Sequence, residues 1–200
     1  MRIGVFGGTF DPPHNGHYKY ACEAIEKLEL DRLIVIPASI PPHKAGLGIS
    51  SGEDRMNMTE LLFSGNEKVS VSDMELRRQG KSYTVDTVRL LREEYPDDEI
   101  FFLMGSDMLL SFHAWYCPSE IIEYVRICAV TRCDEVDRND LEAYIREHFH
   151  GSEDRFTICD FEPIELSSTQ VRNAVKNGES ISSMVNPRIE TYIIEKELYL

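Results

Sequence analysis

The sequence predicts an α/β fold, a doubly wound parallel sheet with helices on both faces and a C-terminal helical tail, and three observations carry that expectation. Apolar runs, richest in β-branched residues in the earlier ones, alternate with longer segments of helical periodicity. No Pro-, Gly- or Ser-rich linker and no compositional shift divides the 200 residues, so residues 1–200 are expected to form one domain. The first apolar run ends in Gly7-Gly8 and leads towards a helical pattern, the kind of junction at which parallel sheets bind ligands.

Taken in order, strands are expected at 3–6, 33–36, 68–71, 100–104, 125–130 and 156–159, and helices at 18–30, 53–64, 84–95 and 137–148. A strand order 3-2-1-4-5 sets the ends of strands one and four, Gly7-Gly8 and Gly105-Ser106-Asp107, side by side where the order reverses. The fold is then Rossmann-like. The glycine turn lacks G-x-G-x-x-G, so a bound dinucleotide cofactor is not expected.

The stretch from Gly7 to His17 is the richest in chemistry. Without Cβ atoms at 7 and 8 a ligand can approach the backbone, and the N–H groups of the turn and first helical turn can face an anion. His14 and His17 are three apart, so a helix beginning at Asn15 would place both imidazoles on one side. Either histidine alone would read as a helix cap. Two of them over a nest of N–H groups suit phosphoryl or nucleotidyl transfer, which is mostly positioning and electrostatics.

Composition limits the alternatives. A net charge of −14 argues against a nucleic-acid surface, and no apolar run is long enough to cross a bilayer. Met1-Arg2 leads straight into the first strand, so a cytoplasmic protein without a signal peptide is expected. Five cysteines, at 22, 117, 128, 133 and 159, lack C-x-x-C or zinc spacing, also with His148 and His150, and are expected to be buried thiols without a metal site. Anionic substrates would need a locally positive cleft, for which His14, His17, Lys44, Arg132 and Arg172 are the candidates.

The segment Gly8 to His17 reads G-x-F-D-P-x-H-x-G-H and resembles the defining motif of the HxGH nucleotidyltransferases. Among them the chain is most similar to the bacterial nicotinate mononucleotide adenylyltransferases, through Pro41-Pro42-His43-Lys44, Ser82 to Thr87, Gly105-Ser106-Asp107, Trp115 and Ser167 to Arg172. The resemblance implies transfer of AMP from ATP, accompanied by Mg²⁺, to nicotinate mononucleotide, giving deamido-NAD and pyrophosphate. It implies catalytic roles for His14, His17, Lys44 and Arg172, and ATP contacts at Gly8, Thr9, Phe10, His14, Gly16, His17, Gly105, Asp107, Arg132, Ser168, Thr169 and Arg172. Lys44, Tyr83, Thr84, Trp115 and Tyr116 would hold the mononucleotide, with the tryptophan stacked on its ring. Nicotinamide mononucleotide or phosphopantetheine as acceptor, or a regulatory nucleotide-binding module without turnover, are the alternatives, and a homo-oligomer is possible within the family.

Several of these residues have a plainer reading. Ser82 or Thr84 can cap the helix that follows, Asp107 can cap its own, and the Ser167–Thr169 hydroxyls can cap the penultimate helix. Arg132 ends strand five but can lie on the surface, and Cys133 stands where the family has a proline. Asn177-Gly178 marks a helix stop, and a last helix to about Leu198 is expected to pack Tyr192, Ile193 and Ile194 on the sheet.

Overall fold

A computed structural model of the chain describes residues 1–39, 49–78, 82–131, 136–162 and 165–200. In chain order these form β1 (Arg2–Gly8), α1 (Asn15–Lys27), β2 (Arg32–Pro37), α2 (Gly52–Phe63), β3 (Val69–Val71), a short α3 (Met74–Arg77) and α4 (Thr84–Glu94). There follow β4 (Glu99–Gly105), a short α5 (Ser106–Leu109), α6 (Pro118–Tyr124), β5 (Arg126–Thr131), α7 (Arg138–His148), β6 (Phe156–Asp160), α8 (Ser168–Lys176) and α9 (Pro187–Glu195). Among the described residues six strands make one parallel sheet in the order β3-β2-β1-β4-β5-β6. The expected order is present, with β6 added at the β5 edge. Segments α3, α5, α6 and the 3-10 turn Phe112–Ala114 were not anticipated, because elements of three to seven residues are too short to display a helical period.

Alternation along each strand feeds two cores. Ile3, Val5, Ile100, Phe102 and Ile127 point to one face and pack with Val85, Leu91, Ile121, Leu141 and Ile145 of α4, α6 and α7. Phe6, Val35, Phe101, Leu103 and Cys128 point to the other and meet Tyr20, Met58, Leu62, Val171 and Ile193 of α1, α2, α8 and α9. Each fully buried side chain of this size stabilises the fold by about 1.5–3 kcal/mol, so both faces of the sheet hold its edges at fixed heights. Gly4 is required by packing: a Cβ there would lie 2.5 Å from Leu30 Cδ1.

The tail differs from expectation. Tyr192 donates its hydroxyl to Asp54 Oδ1 at 2.9 Å and accepts from Asn57 Nδ2 at 3.0 Å, so α9 lies along α2, while Ile194 is 68% exposed and packs on nothing. Only Ile193 of the expected pair of isoleucines is buried. Cysteine burial is also uneven: Cys128 is buried, Cys22, Cys117 and Cys159 are only partly so, and Cys128 Sγ lies 3.2 Å from Cys159 Sγ. Cys133 lies outside the described residues. No helix of the described residues is long and apolar enough to cross a membrane.

One polar residue sets the height of the sheet's C-terminal edge. Arg55, in the first turn of α2, is 2% exposed and donates to Thr9 O at 2.8 Å, Ala38 O at 2.6 Å, Ser39 O at 3.1 Å and Ser50 O at 3.2 Å. Burial pushes its guanidinium below the ordinary arginine value, and the nearby Asp11 carboxylate opposes that shift. Arg55→Leu would leave four carbonyls without their donor, and the expected loss is about 3 kcal/mol of unfolding free energy, roughly 6–12 °C in Tm. Urea and thermal unfolding check this, and a loss below about 1 kcal/mol would show that water replaces the arginine at no cost.

Candidate active site

The loop after β1 is built differently from a glycine turn. The strand runs through Gly8, which pairs with Pro37, and Ala38 N–H donates to Gly8 O at 2.8 Å, so the turn begins at Thr9. A Cβ on Gly8 would meet Phe10 Cζ at 2.8 Å. Glycine at 8 therefore also makes room for the Phe10 ring, a packing reason beside the expected approach of a ligand. Phe10 is 1% exposed, at φ 51°, with its ring edge-on to Phe6 at 5.3 Å, so only its backbone can face a nucleotide. Gly7 is exposed, and a Cβ there would come no closer than 3.9 Å to Phe102 Cζ, which makes it the more open of the two.

His14 is the N-cap of α1, and Gly16 is buried in the helix's first turn. The spacing of three brings the two imidazoles together as expected, with ring centroids 3.7 Å apart at 32°. His14 backbone N–H donates to His17 Nδ1 at 3.1 Å. In neutral His17 the proton is thereby placed on Nε2, so the ring presents an N–H donor away from its own backbone. Phe10 packs edge-on against His17 at 5.0 Å, and His14 itself is 5% exposed. Both rings are held by packing.

Helix α8 closes the other side of the loop. Its N-cap is Ser167, whose Oγ accepts from Gln170 N–H at 3.3 Å while Gln170 Oε1 accepts from Ser167 N–H at 2.7 Å. The capping role falls to Ser167 alone. Ser168 donates its hydroxyl to Pro12 O at 2.9 Å, and Thr169 Oγ1 accepts from Arg172 Nη2 at 3.2 Å. Arg172 reaches back as expected and donates Nη1 to Asp11 O at 2.6 Å. The two sequence motifs thus share hydrogen bonds between residues 156 and 161 positions apart, and the hydroxyls predicted for phosphate are partly engaged by protein.

Opposite them, Tyr83 and Tyr116 pack with ring centroids 5.0 Å apart. Thr84 is the first residue of α4, but the N-cap is Tyr83, and Ser82 Oγ instead accepts from Ser39 N–H at 3.2 Å, tying this loop to the end of β2. Trp115 is half-buried, edge-on to Phe112 at 5.3 Å and to Phe102 at 6.4 Å. Phe102 is also the neighbour of Gly7, which brings the tryptophan to the β1 side of the switch point. Gly105 is the N-cap of α5, so Asp107 is no cap; it sits exposed in the first turn without a hydrogen bond or ion pair among the described residues.

Lys44 and Arg132 lie outside the described residues. Among the described residues no group of three or more His, Cys, Asp or Glu side chains is arranged to hold a metal ion. Residues that sequence reasoning missed are Arg55, the Asp11 carboxylate and Tyr199. Asp11, 4% exposed, accepts on Oδ1 from Tyr199 hydroxyl at 2.7 Å and from Ser50 N–H at 3.3 Å. Asp11 could have been suspected from its place in the motif; nothing in the sequence marks the other two.

The sequence model of the cytidylyltransferase-like family matches residues 5–174. A relative from Shouchella clausii, named "Probable nicotinate-nucleotide adenylyltransferase", is 39% identical over 99% of this chain and 96% of its own. A relative of the same name from Synechococcus is 36% identical over 100% of this chain and 95% of its own. The solved Plasmodium falciparum nicotinic acid mononucleotide adenylyltransferase complexed with NaAD superposes with a TM-score of 0.81 over 100% of this chain and 97% of that one, at 17% identity, a likeness of fold. Matched by the family model over residues 5–174 and by relatives along its whole length, the chain belongs to the cytidylyltransferase-like family of nucleotidyltransferases.

Proposed function

We propose that the protein transfers AMP from ATP to nicotinate mononucleotide, forming deamido-NAD and pyrophosphate. The observation that carries the proposal is the His14–His17 pair, two imidazoles 3.7 Å apart at the start of α1 with the His14 backbone N–H donating to His17 Nδ1. The name borne by the full-length relatives supports the acceptor. The mononucleotide phosphate attacks the α-phosphorus in line, and the bond from that phosphorus to the bridging oxygen of pyrophosphate breaks. His17 donates to the transferring phosphoryl as charge moves onto its oxygens, His14 holds and screens it, and Arg172 with the first turn of α8 receives the leaving pyrophosphate. Lys44 and Arg132 add positive charge, and Asp107 accepts from ribose hydroxyls.

Magnesium enters with ATP. Bound with ATP, it would be held largely by triphosphate oxygens and water, as this cation commonly is, and would lower the charge that the side chains meet. Orientation and proton placement belong to the side chains named.

His17→Ala is expected to lower kcat by roughly 10² or more with the fold intact, and His17→Asn by less, because an amide still donates. Pyrophosphate release checks both, and turnover within about fivefold of the parent would remove His17 from the reaction.

Acceptor preference follows from the aromatic side of the site. Residues 82–87 and 112–117 contain no lysine or arginine, so a ring carboxylate would be met by backbone N–H groups at the start of α4 and near Tyr116. Asp86, in the same first turn, is turned to Arg89 at 3.0 Å and so is compensated. Nicotinamide would set its NH₂ against such a donor, leaving two donors face to face at about 1–3 kcal/mol per buried group. With the lost charge assistance, the acid should be favoured by about 10² to 10⁴ in kcat/KM. Rates with both acceptors at fixed ATP and magnesium measure this, and equal rates would mean that the ring is held another way.

A further inference from the structure

The loop that carries Trp115 is gripped by α7, a helix packed on the same face of the sheet. Tyr144 of α7, 9% exposed, accepts on its hydroxyl oxygen from His113 N–H at 2.9 Å and stands 2.7 Å from His113 Nδ1. Because the oxygen already accepts from the backbone, its own proton is available to the ring nitrogen, and one phenol engages His113 twice. One turn further along α7, His148 lays its ring flat on His113, centroids 4.3 Å apart at 9°. The next residue, Phe149, packs on Phe112 at 5.4 Å. Helix α7 therefore holds two consecutive residues of the loop, one by polar contacts and stacking, the other by core packing.

What is held passes directly to the tryptophan. Phe112 to Ala114 form a 3-10 turn, Trp115 N–H donates to Phe112 O at 3.0 Å, and the Trp115 indole rests edge-on against Phe112 at 5.3 Å. The clasped residues and the backbone that bears the indole belong to one hydrogen-bonded turn. His113 and His148 are both exposed, so neither contributes a buried group that would explain the arrangement as core stability alone. The ring pair and the phenol fix the loop in position.

We propose that Tyr144, acting through His113, is a positioning residue that sets Trp115 for the acceptor ring and so determines acceptor affinity without touching substrate. The proposal rests on the nicotinate mononucleotide reading above. It assigns to α7 a share in selecting the second substrate, while ATP binding, built on the loop after β1 and on α8, is independent of it.

The test is steady-state kinetics and tryptophan fluorescence on the full chain. In Tyr144→Phe, which keeps the ring, KM for nicotinate mononucleotide should rise about fivefold or more, with kcat and KM for ATP within about twofold. His113→Asn, whose Oδ1 can stand in for Nδ1 as acceptor, should stay near the parent, whereas His113→Leu should match Tyr144→Phe. The concentration of acceptor that half-quenches Trp115 emission should shift with KM. An unchanged acceptor KM in Tyr144→Phe overturns the proposal, and so does a rise in both substrates' KM together, the mark of a general loosening. If the parent protein does not turn over nicotinate mononucleotide, the functional reading fails first. The clasp is then judged alone: acrylamide must quench Trp115 more readily in Tyr144→Phe than in the parent, and equal quenching overturns it.

Discussion

Everything at the working edge of this sheet hangs on a buried guanidinium. Desolvating a charge costs several kcal/mol, and Arg55 recovers that cost only because its planar fork meets four carbonyls and faces the Asp11 carboxylate. A lysine, with one nitrogen, could not reach carbonyls at residues 9, 38, 39 and 50 from a single point. The carbonyls come from just past the ends of β1 and β2 and from the approach to α2, so the three departures from the sheet leave at one level. Ser39 and Ser50, which bound the segment bearing Lys44, are thereby anchored to the same group.

From that level the rest of the site is assembled by sharing. Asp11 gives its backbone oxygen to Arg172 and its carboxylate to Tyr199 and Ser50, so residues 161 and 188 positions away converge on one side of the loop. Burial and the Asp11 charge together push the Tyr199 phenol up, which keeps it a neutral donor to the carboxylate. On the other side stand His14 and His17, joined by a hydrogen bond from backbone to ring. A short loop held at this many points has little freedom to reorganise when charge develops, which is the condition under which fixed donors lower a barrier most.

Such sharing also explains what could be read from the sequence. Strand and helix positions were legible because both sheet faces are buried and long helices show their period; the paired histidines were legible because their spacing is local. The packing reason for Gly8 was not legible, since Phe10 curls back over it through a left-handed backbone that no residue type announces. Nothing local marked Arg55 or Tyr199, because all but one of the partners named for them are 16 to 188 residues distant. Ser82 was read as a cap for the same reason: its hydroxyl went to Ser39, 43 residues away. For Arg55, Tyr199 and Ser82 the cause is shared, hydrogen bonds between segments far apart in sequence, whereas at Gly8 it is a local backbone conformation.

The remaining puzzle is how a chain with 35 acidic residues and a net charge of −14 would welcome nucleotides. Parallel topology supplies part of the answer, since each helix that follows a strand starts at the sheet's C-terminal edge and brings there about half a positive charge from its unpaired N–H groups. That potential is short-ranged, and an acid in the first turn cancels it. Acids occupy the first turns of α2, α3, α4, α5, α6, α7 and α9, which is where they stabilise helices. Among the described α-helices only α1 and α8 have none, and these are the two that begin with the paired histidines and with Ser168-Thr169. Beyond about 8 Å the more distant carboxylates are screened at physiological salt, so the field at the loop is set by those two bare helix starts, Arg172 and the imidazoles against the one buried carboxylate of Asp11, itself held by Tyr199 and Ser50. Helix stability foregone at two N-termini, where the other described α-helices carry an acid, is the charge pattern that the proposed anion site needs inside an acidic protein.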